Sequence, residues 1–342
     1  MLSIGIYTYA LEIKLFELSI GVINMKGTAT QQLLDNKMDI LKFISNHGNI
    51  LNRSSLMELL HTLQKQKNIL NGTTLYGLTT LLVRLNFLES VNILYQERLL
   101  YRYLSKTKKI NAYEIALSIA PKKAHLSHLS ALYINGITNL DPSTIYINYE
   151  QSPKPINKSN AKLTQKKVDQ AFLKPVRKTN NIATFIYHNR SYTVILLNGK
   201  HTNYIGVQLI KPLNFSSEVR VSNIERSLIE ATIRPSYSGG VSEVLLSFKN
   251  AKSEAVSINR LLSYLKKMNY IYPYFQNIYF YVYYAHYNPI QLNLVQKILD
   301  NSNKANQINF YLDHQLIKPK LDAYSKVYYP ENMILDTDSK EF

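Results

Sequence analysis

Cysteine is absent from the 342 residues. Disulfide scaffolds, thiolate zinc fingers, iron–sulfur clusters and cysteine nucleophiles are therefore excluded, and a reducing cytoplasm suits the chain. Glycine and proline are sparse, 11 of each, beside 46% hydrophobic residues. That supplies apolar material for large cores and fits neither a disordered nor a fibrous protein. Acidic residues are few as well: 23 Asp and Glu face 40 Lys and Arg, a formal net charge of +17. Such an excess points to a polyanionic partner, nucleic acid or an anionic membrane surface. Long hydrophobic runs are also missing. The apolar stretch 1–24 is interrupted by Glu12, Lys14 and Glu17, so it falls short of the ~20 residues of a membrane span and lacks a basic leader and a cleavage site. A soluble protein with no membrane partner is expected. Met25-Lys26-Gly27 offers an alternative start, which would make residues 1–24 an upstream extension; the competing reading is an ordinary first strand or helix. No H-E-x-x-H, Walker A, G-x-S-x-G or G-x-G-x-x-G pattern is found, so the sequence argues for no enzyme and no cofactor.

The length suggests two or three domains. After an N-terminal extension (1–34), Met38, Leu41 and Ile44 follow helical spacing from Asp35 to Asn46. Leu56, Leu59, Leu60 and Leu63 mark a second helix, with Ser54 or Ser55 as N-cap and a basic exit at Lys65 and Lys67. A third helix follows the Asn71-Gly72 turn, with Leu75, Leu78, Leu82 and Leu85 in one stripe and Thr73, Tyr76, Gly77, Thr80 and Arg84 opposite. Two β-rich runs, Val91–Tyr95 and Arg98–Leu104, form a hairpin with Arg98 and Arg102 on one face. Three helices and a hairpin in that order predict a winged helix-turn-helix over 35–109. Two amphipathic helices (Tyr113–Ala120 and His125–Asn135) and a strand (Thr144–Tyr149) make an extension over 110–149. Pro153, Pro155 and Pro175 punctuate a basic linker, 150–178, and a mixed α/β domain fills 179–342. The fold class is thus α+β.

The third helix reads as a DNA reader, because a major groove accepts a helix that offers hydrogen-bonding side chains flanked by Lys and Arg for phosphates. The candidate DNA-binding residues are Arg53, Lys65, Lys67, Thr73, Thr74, Tyr76, Thr80, Arg84, Arg98 and Arg102. The alternative for such a face is simple solvation. His125 and His128, at i and i+3 on one expected helix, lack a third metal ligand, and the Asp336/Asp338 pair lies in a polar tail. In the stretch SNIERSLIEATIRPSYSGG, Ser222 and Glu225 form an S-x-x-E capping box and Arg234-Pro235 stops the helix. Either Arg226, Arg234 and Tyr237 project from the turn as an anion or partner site, or they satisfy the turn internally.

The four stretches 124–138 (AHLSHLSALYINGIT), 163–177 (LTQKKVDQAFLKPVR), 222–245 and 270–281 (YIYPYFQNIYFY) resemble the AbiEi family, antitoxins of type IV (abortive infection, phage defence) toxin-antitoxin systems. The third matches the family's T-x-x-E-R-T-L-I-D and R-P-x-Y-x-G-G pattern at Glu225, Arg226, Leu228, Ile229, Arg234, Pro235, Tyr237, Gly239 and Gly240, with Ser222, Ser227 and Glu230 replacing Thr, Thr and Asp. The resemblance implies an N-terminal winged helix that binds inverted repeats in its own promoter as a repressor, and a C-terminal antitoxin domain. Glu225, Arg226, Arg234 and Tyr237 are its antitoxin candidates. The implied partners are double-stranded DNA and a nucleotidyltransferase toxin, opposed with or without direct contact. Two other readings stand beside it: a metal-dependent nucleic-acid-processing enzyme using Glu225, Glu230 or Asp338, and a winged-helix regulator unconnected with a toxin.

Overall fold

The structure, a computed structural model, describes residues 28–66, 68–69, 71–153, 163–301 and 308–335. Lys67, Asp336, Asp338 and residues 1–24 lie outside them. The chain is mixed α and β, and it divides into a smaller unit (Met1–Glu89 with Tyr103–Thr107) and a larger one (Ser90–Arg102 with Lys108–Phe342).

In the smaller unit α1 (Thr28–Asp35), α2 (Lys37–Asn46), β1 (Ile50–Leu51), α3 (Arg53–Lys65) and α4 (Leu75–Arg84) lead into β2 (Leu88–Tyr95) and β3 (Arg98–Ser105). Strand β1 pairs antiparallel with the end of β3, Ile50 opposite Leu104. The apolar spacing explains the packing: Leu33, Ile40, Ile44, Leu56, Leu59, Leu60, Leu63, Leu78 and Leu82 all fall inward and form one core. The cap of α3 is neither Ser54 nor Ser55 but Asn52, whose Oδ1 accepts the Ser55 amide at 3.0 Å while Ser55 Oγ accepts the Asn52 amide at 2.8 Å. Asn can supply this reciprocal pair because its side chain also favours the extended backbone before a helix. Gln64 Nε2 donates to Asn71 O and Thr73 O, which fixes the turn between α3 and α4.

In the larger unit the main sheet runs β3-β2-β6-β7-β5-β4-β9-β8, where β4 is His125–Leu126, β5 Thr144–Glu150, β6 Ile182–Tyr187, β7 Arg190–Gly199, β8 Val207–Ile210 and β9 Val219–Ser222. Strand β5 lies parallel to β7 over its whole length, from Thr144 opposite Thr193 to Glu150 opposite Gly199. The remaining helices are α5 (Ala112–Leu117), α6 (His128–Ile134), α7 (Gln165–Phe172), α8 (Ile224–Ile233), α9 (Val241–Ala251), α10 (Ile258–Met268), α11 (Tyr274–Tyr284) and α12 (Pro289–Asp300). A second sheet has the order β10-β12-β11, from Phe310–Tyr311, Val327–Pro330 and Pro319–Asp322. Helix α11 is apolar along most of its surface, as suits a helix buried over most of its length, with Tyr283 its exposed residue. Its Gln276 and Asn277 donate to Ile308 O and Tyr311 O, tying it to the small sheet.

Three expectations are corrected. The basic stretch 150–178 divides nothing: β5 before it and β6 and β7 after it share one sheet, and Val168 and Phe172 of α7 enter the larger unit's core. Residues 179–342 are consequently no self-contained domain. The expected helix His125–Asn135 is broken, since His125 and Leu126 pair with β5 and the helix starts at His128, so the two histidines share no helix face. Residues Ser90–Arg102, the outer part of the hairpin, group with the larger unit, where Ile93–Tyr95 pair with Ala183–Phe185 of β6. Among the described residues no helix is long and apolar enough to cross a membrane.

Candidate nucleic-acid face and a buried ionic site

Helix α4 follows a tight turn and begins at Thr74, whose Oγ1 accepts the Gly77 amide at 3.1 Å. Thr74 is thereby spent on the cap, and the carbonyl of Thr73 is held by Gln64, which leaves the rest of the helix to present side chains. Leu78 and Leu82 are fully buried, and Tyr76, Thr80 and Arg84, spaced i, i+4, i+8, form the opposite exposed stripe. Tyr76 is 64% exposed, an unusual position for a large ring. Gly77 lies on the same side, with only Thr74 Oγ1 near the position of an added Cβ, so a partner's backbone can approach closely there. Arg53, at the first turn of α3, and Lys65, at its end, are exposed.

Arg98 is exposed as expected, but Arg102 is not free to meet a phosphate. Its Nε donates to Ser118 Oγ (3.0 Å), its Nη2 to Ser118 O (2.9 Å) and its Nη1 to Tyr101 O (3.0 Å). Burial lowers its pKa. Arg102 closes the C-terminal end of α5, where carbonyls lack helical partners; the alternation that put it beside Arg98 carries no information about this acceptor.

The second site surrounds α8. The strand β9 alternates, with Val219 and Val221 inward, and ends on Ser222. Asn223, rather than a Ser222–Glu225 box, caps the helix, accepting the Arg226 amide at 3.0 Å. Ser222 Oγ donates instead to Glu230 Oε2 at 2.9 Å, and Glu225 turns away, accepting the Ser257 amide and lying 3.4 Å from Arg260. Arg226 is buried, and its guanidinium is almost fully used: Nε donates to Glu230 Oε1 (2.8 Å), Nη2 to Glu150 Oε1 (3.2 Å), and Nη1 to Thr202 Oγ1 (3.1 Å) and Ile205 O (2.6 Å). Gly206, at φ +73°, makes this approach possible: a Cβ there would lie 2.7 Å from the Tyr264 ring and 2.9 Å from Arg226 Cβ.

Electrostatics follow from burial and pairing. Burial alone would raise the Glu230 carboxyl, but Arg226 and the neighbouring histidines outweigh it and hold it well below the usual carboxylate range. Glu150 is likewise lowered: burial is overcome by hydrogen bonds from Thr202 and the Tyr204 amide and by Arg226. Burial pushes His128 down to about 4 and lowers His125, whose Nε2 is 3.6 Å from Glu230. Both rings are neutral at pH 7. His128 stands in a left-handed conformation (φ 49°), its amide donating to Glu230 Oε2, its Nδ1 3.0 Å from Ser127 Oγ.

Arg226, Arg234 and Tyr237 line one cavity of about 460 Å³ with His128, Glu230 and Lys200; Glu225 does not reach it. Tyr237 stacks on Tyr146, with centroids 5.3 Å apart, and donates to Arg177 O. Of the two readings of this turn, internal satisfaction therefore describes Arg226 and the Tyr237 hydroxyl, whereas the Arg234 guanidinium meets His314 at 3.4 Å and lines the cavity. Glu225 and Glu230, named together in the metal-enzyme reading, face different partners, and among the described residues no three His, Asp or Glu side chains form a metal-holding group. Glu150, Asn148 and Lys200 escaped the sequence reading, and His128 was weighed there only as a metal ligand beside His125. The first two arrive from β5, where only the alternation Tyr146-Asn148-Glu150 on one strand face hinted at them, and Lys200 directly follows β7.

Neither a family model nor a curated protein matches the chain. Among solved structures it is similar to that of the RV2827C protein from Mycobacterium tuberculosis, at 10% identity and a TM-score of 0.47, over 84% of this chain and 89% of that one.

Proposed function

We propose that the protein is a DNA-binding transcriptional repressor whose smaller unit is a winged helix-turn-helix, with α4 as the recognition helix. The single observation that carries this reading is the exposed stripe Tyr76-Thr80-Arg84 on a helix anchored by Leu78 and Leu82. An aromatic ring, a hydroxyl and a guanidinium in line are groups that meet base edges and phosphates, and one helix of this length fits a major groove. The order helix, strand, helix, helix, two strands supports it, as does the +17 charge, whose phosphate contacts would make binding strongly salt-dependent.

The antitoxin role rests on the AbiEi resemblance, carried by the segment 222–245. In that reading the protein represses its own promoter through inverted repeats and counteracts a neighbouring nucleotidyltransferase toxin in the cytoplasm. Footprinting on DNA upstream of the gene tests the first half: protection of paired repeats is expected, and uniform low-affinity binding to any duplex overturns it. Co-expression with the adjacent gene tests the second, with restored growth expected and unrelieved arrest contradicting it.

A further inference from the structure

Among the described residues, the cavity beside α8 gathers more cationic than acidic side chains. Five cationic side chains line it, Arg177, Lys178, Lys200, Arg226 and Arg234, against one carboxylate, Glu230, which Arg226 already pairs. No described carboxylate lies in ion-pair contact with the other four. Like charges gathered at one cavity repel, so the arrangement gains stability when an anion fills it.

The walls are organised before any ligand arrives. Lys200 is pinned, its Nζ donating to Asn269 O at 2.6 Å and lying 5.1 Å from the centroid of the Tyr270 ring. Glu230 holds the strained backbone of His128 at the cavity wall, and strain of this kind collects at binding sites. Ile233, Met268 and Tyr270 add an apolar side. The cavity lies by the carboxyl ends of the parallel strands β5 and β7, where Asn148 and Lys200 stand, a common position for ligands in sheets with parallel pairs. Its volume suits a small molecule, since such pockets span about 300–1,000 Å³.

The geometry points to a binding site for a small phosphate-bearing anion, of the size of a pyrophosphate or a mononucleotide, held by Lys178, Lys200 and Arg234. The phosphate oxygens accept from the guanidinium and the two ammonium groups; the apolar wall takes the remainder of the molecule. The site is independent of DNA reading by α4.

Titration calorimetry on the full chain with pyrophosphate, AMP and inorganic phosphate tests this. One site per chain is expected, weakened tenfold or more in the Lys178→Gln, Arg234→Gln double variant and unchanged in Arg84→Gln. Tighter binding of AMP than of inorganic phosphate assigns a nucleotide, and pyrophosphate ahead of AMP assigns an inorganic polyanion; both support the site. Should the double variant fail to fold, Arg177→Gln with Lys178→Gln, both exposed, replaces it with the same expectation. No binding by any probe at millimolar concentration overturns the proposal, as does equal weakening by Arg84→Gln, which would mean diffuse attraction to a cationic surface. Loss of promoter binding with the calorimetric result intact would strike only the repressor reading.

Discussion

The smaller and larger units solve the problem of a stable interior in opposite ways. Among the described residues of the smaller unit, the buried polar side chains are Asn49, Ser55 and Ser105, and none is charged. Its core is Leu and Ile with Phe87, closed by neutral caps at Asn52 and Thr74. The larger unit buries Glu150, Arg226 and Glu230 together, with His125 and His128 against them, beside its hydrocarbon core. A hydrocarbon core fails gradually as methylenes are removed, whereas a buried ionic set fails at once when one member leaves its partners uncompensated.

The largest effect should come from Arg226→Met. It strands two buried carboxylates, and a loss of about 3–5 kcal/mol is expected in urea unfolding. A loss below about 1 kcal/mol would mean that water reaches the pair and the contrast is false. Leu82→Ala in the smaller unit should cost about 3 kcal/mol by cavity formation; amide exchange should show the protection lost in α3 and α4, and loss centred on β5 and α8 would blur the comparison.

Acid should also separate the units. An unfolded histidine takes its proton near pH 6.5, but folded His128 refuses it until about 4. The unfolded state therefore binds more protons between those values, so stability falls as pH drops through that window, by up to about 3 kcal/mol at its lower end. The lowered carboxyls of Glu150 and Glu230 act in the same direction below their unfolded pKa of 4.5. Exchange protection in α8 should decline from pH 6.5 to 4 ahead of that in α4, and His128→Gln should flatten the decline. The smallest effect belongs to Asn52→Ala, about 1 kcal/mol for a lost cap, read by thermal unfolding; no shift would assign the capping to water.

The same contrast explains what the sequence disclosed. The helices and the hairpin within 35–105 were legible, though strand β1 and the Asn52 cap were not, because Leu56, Leu59, Leu60 and Leu63, then Leu78 and Leu82, announce their period locally, and Gln96-Glu97 marks a hairpin turn with both residues at positive φ. The helix Tyr274–Tyr284 was illegible because a helix buried over most of its surface shows little period, and its tyrosines favour strands as readily. Strand β4 was hidden inside an apparent helix, as two residues cannot display alternation. At the ionic site Arg226 stood out in its motif, but its partner Glu150 is 76 residues away and closes a parallel strand pair that only topology creates. Arg102 shows the reverse failure: its face was read correctly as shared with Arg98, yet its acceptor at Ser118 was not.

The central claim, that α4 meets DNA through Tyr76, Thr80 and Arg84, is tested most directly by the salt dependence of promoter binding in the native chain and in Arg84→Ala. If Arg84 contacts a phosphate, affinity at fixed salt should drop and the slope of log affinity against log salt should become shallower by about 1. An unchanged affinity with an unchanged slope would contradict it and move the DNA-binding surface elsewhere.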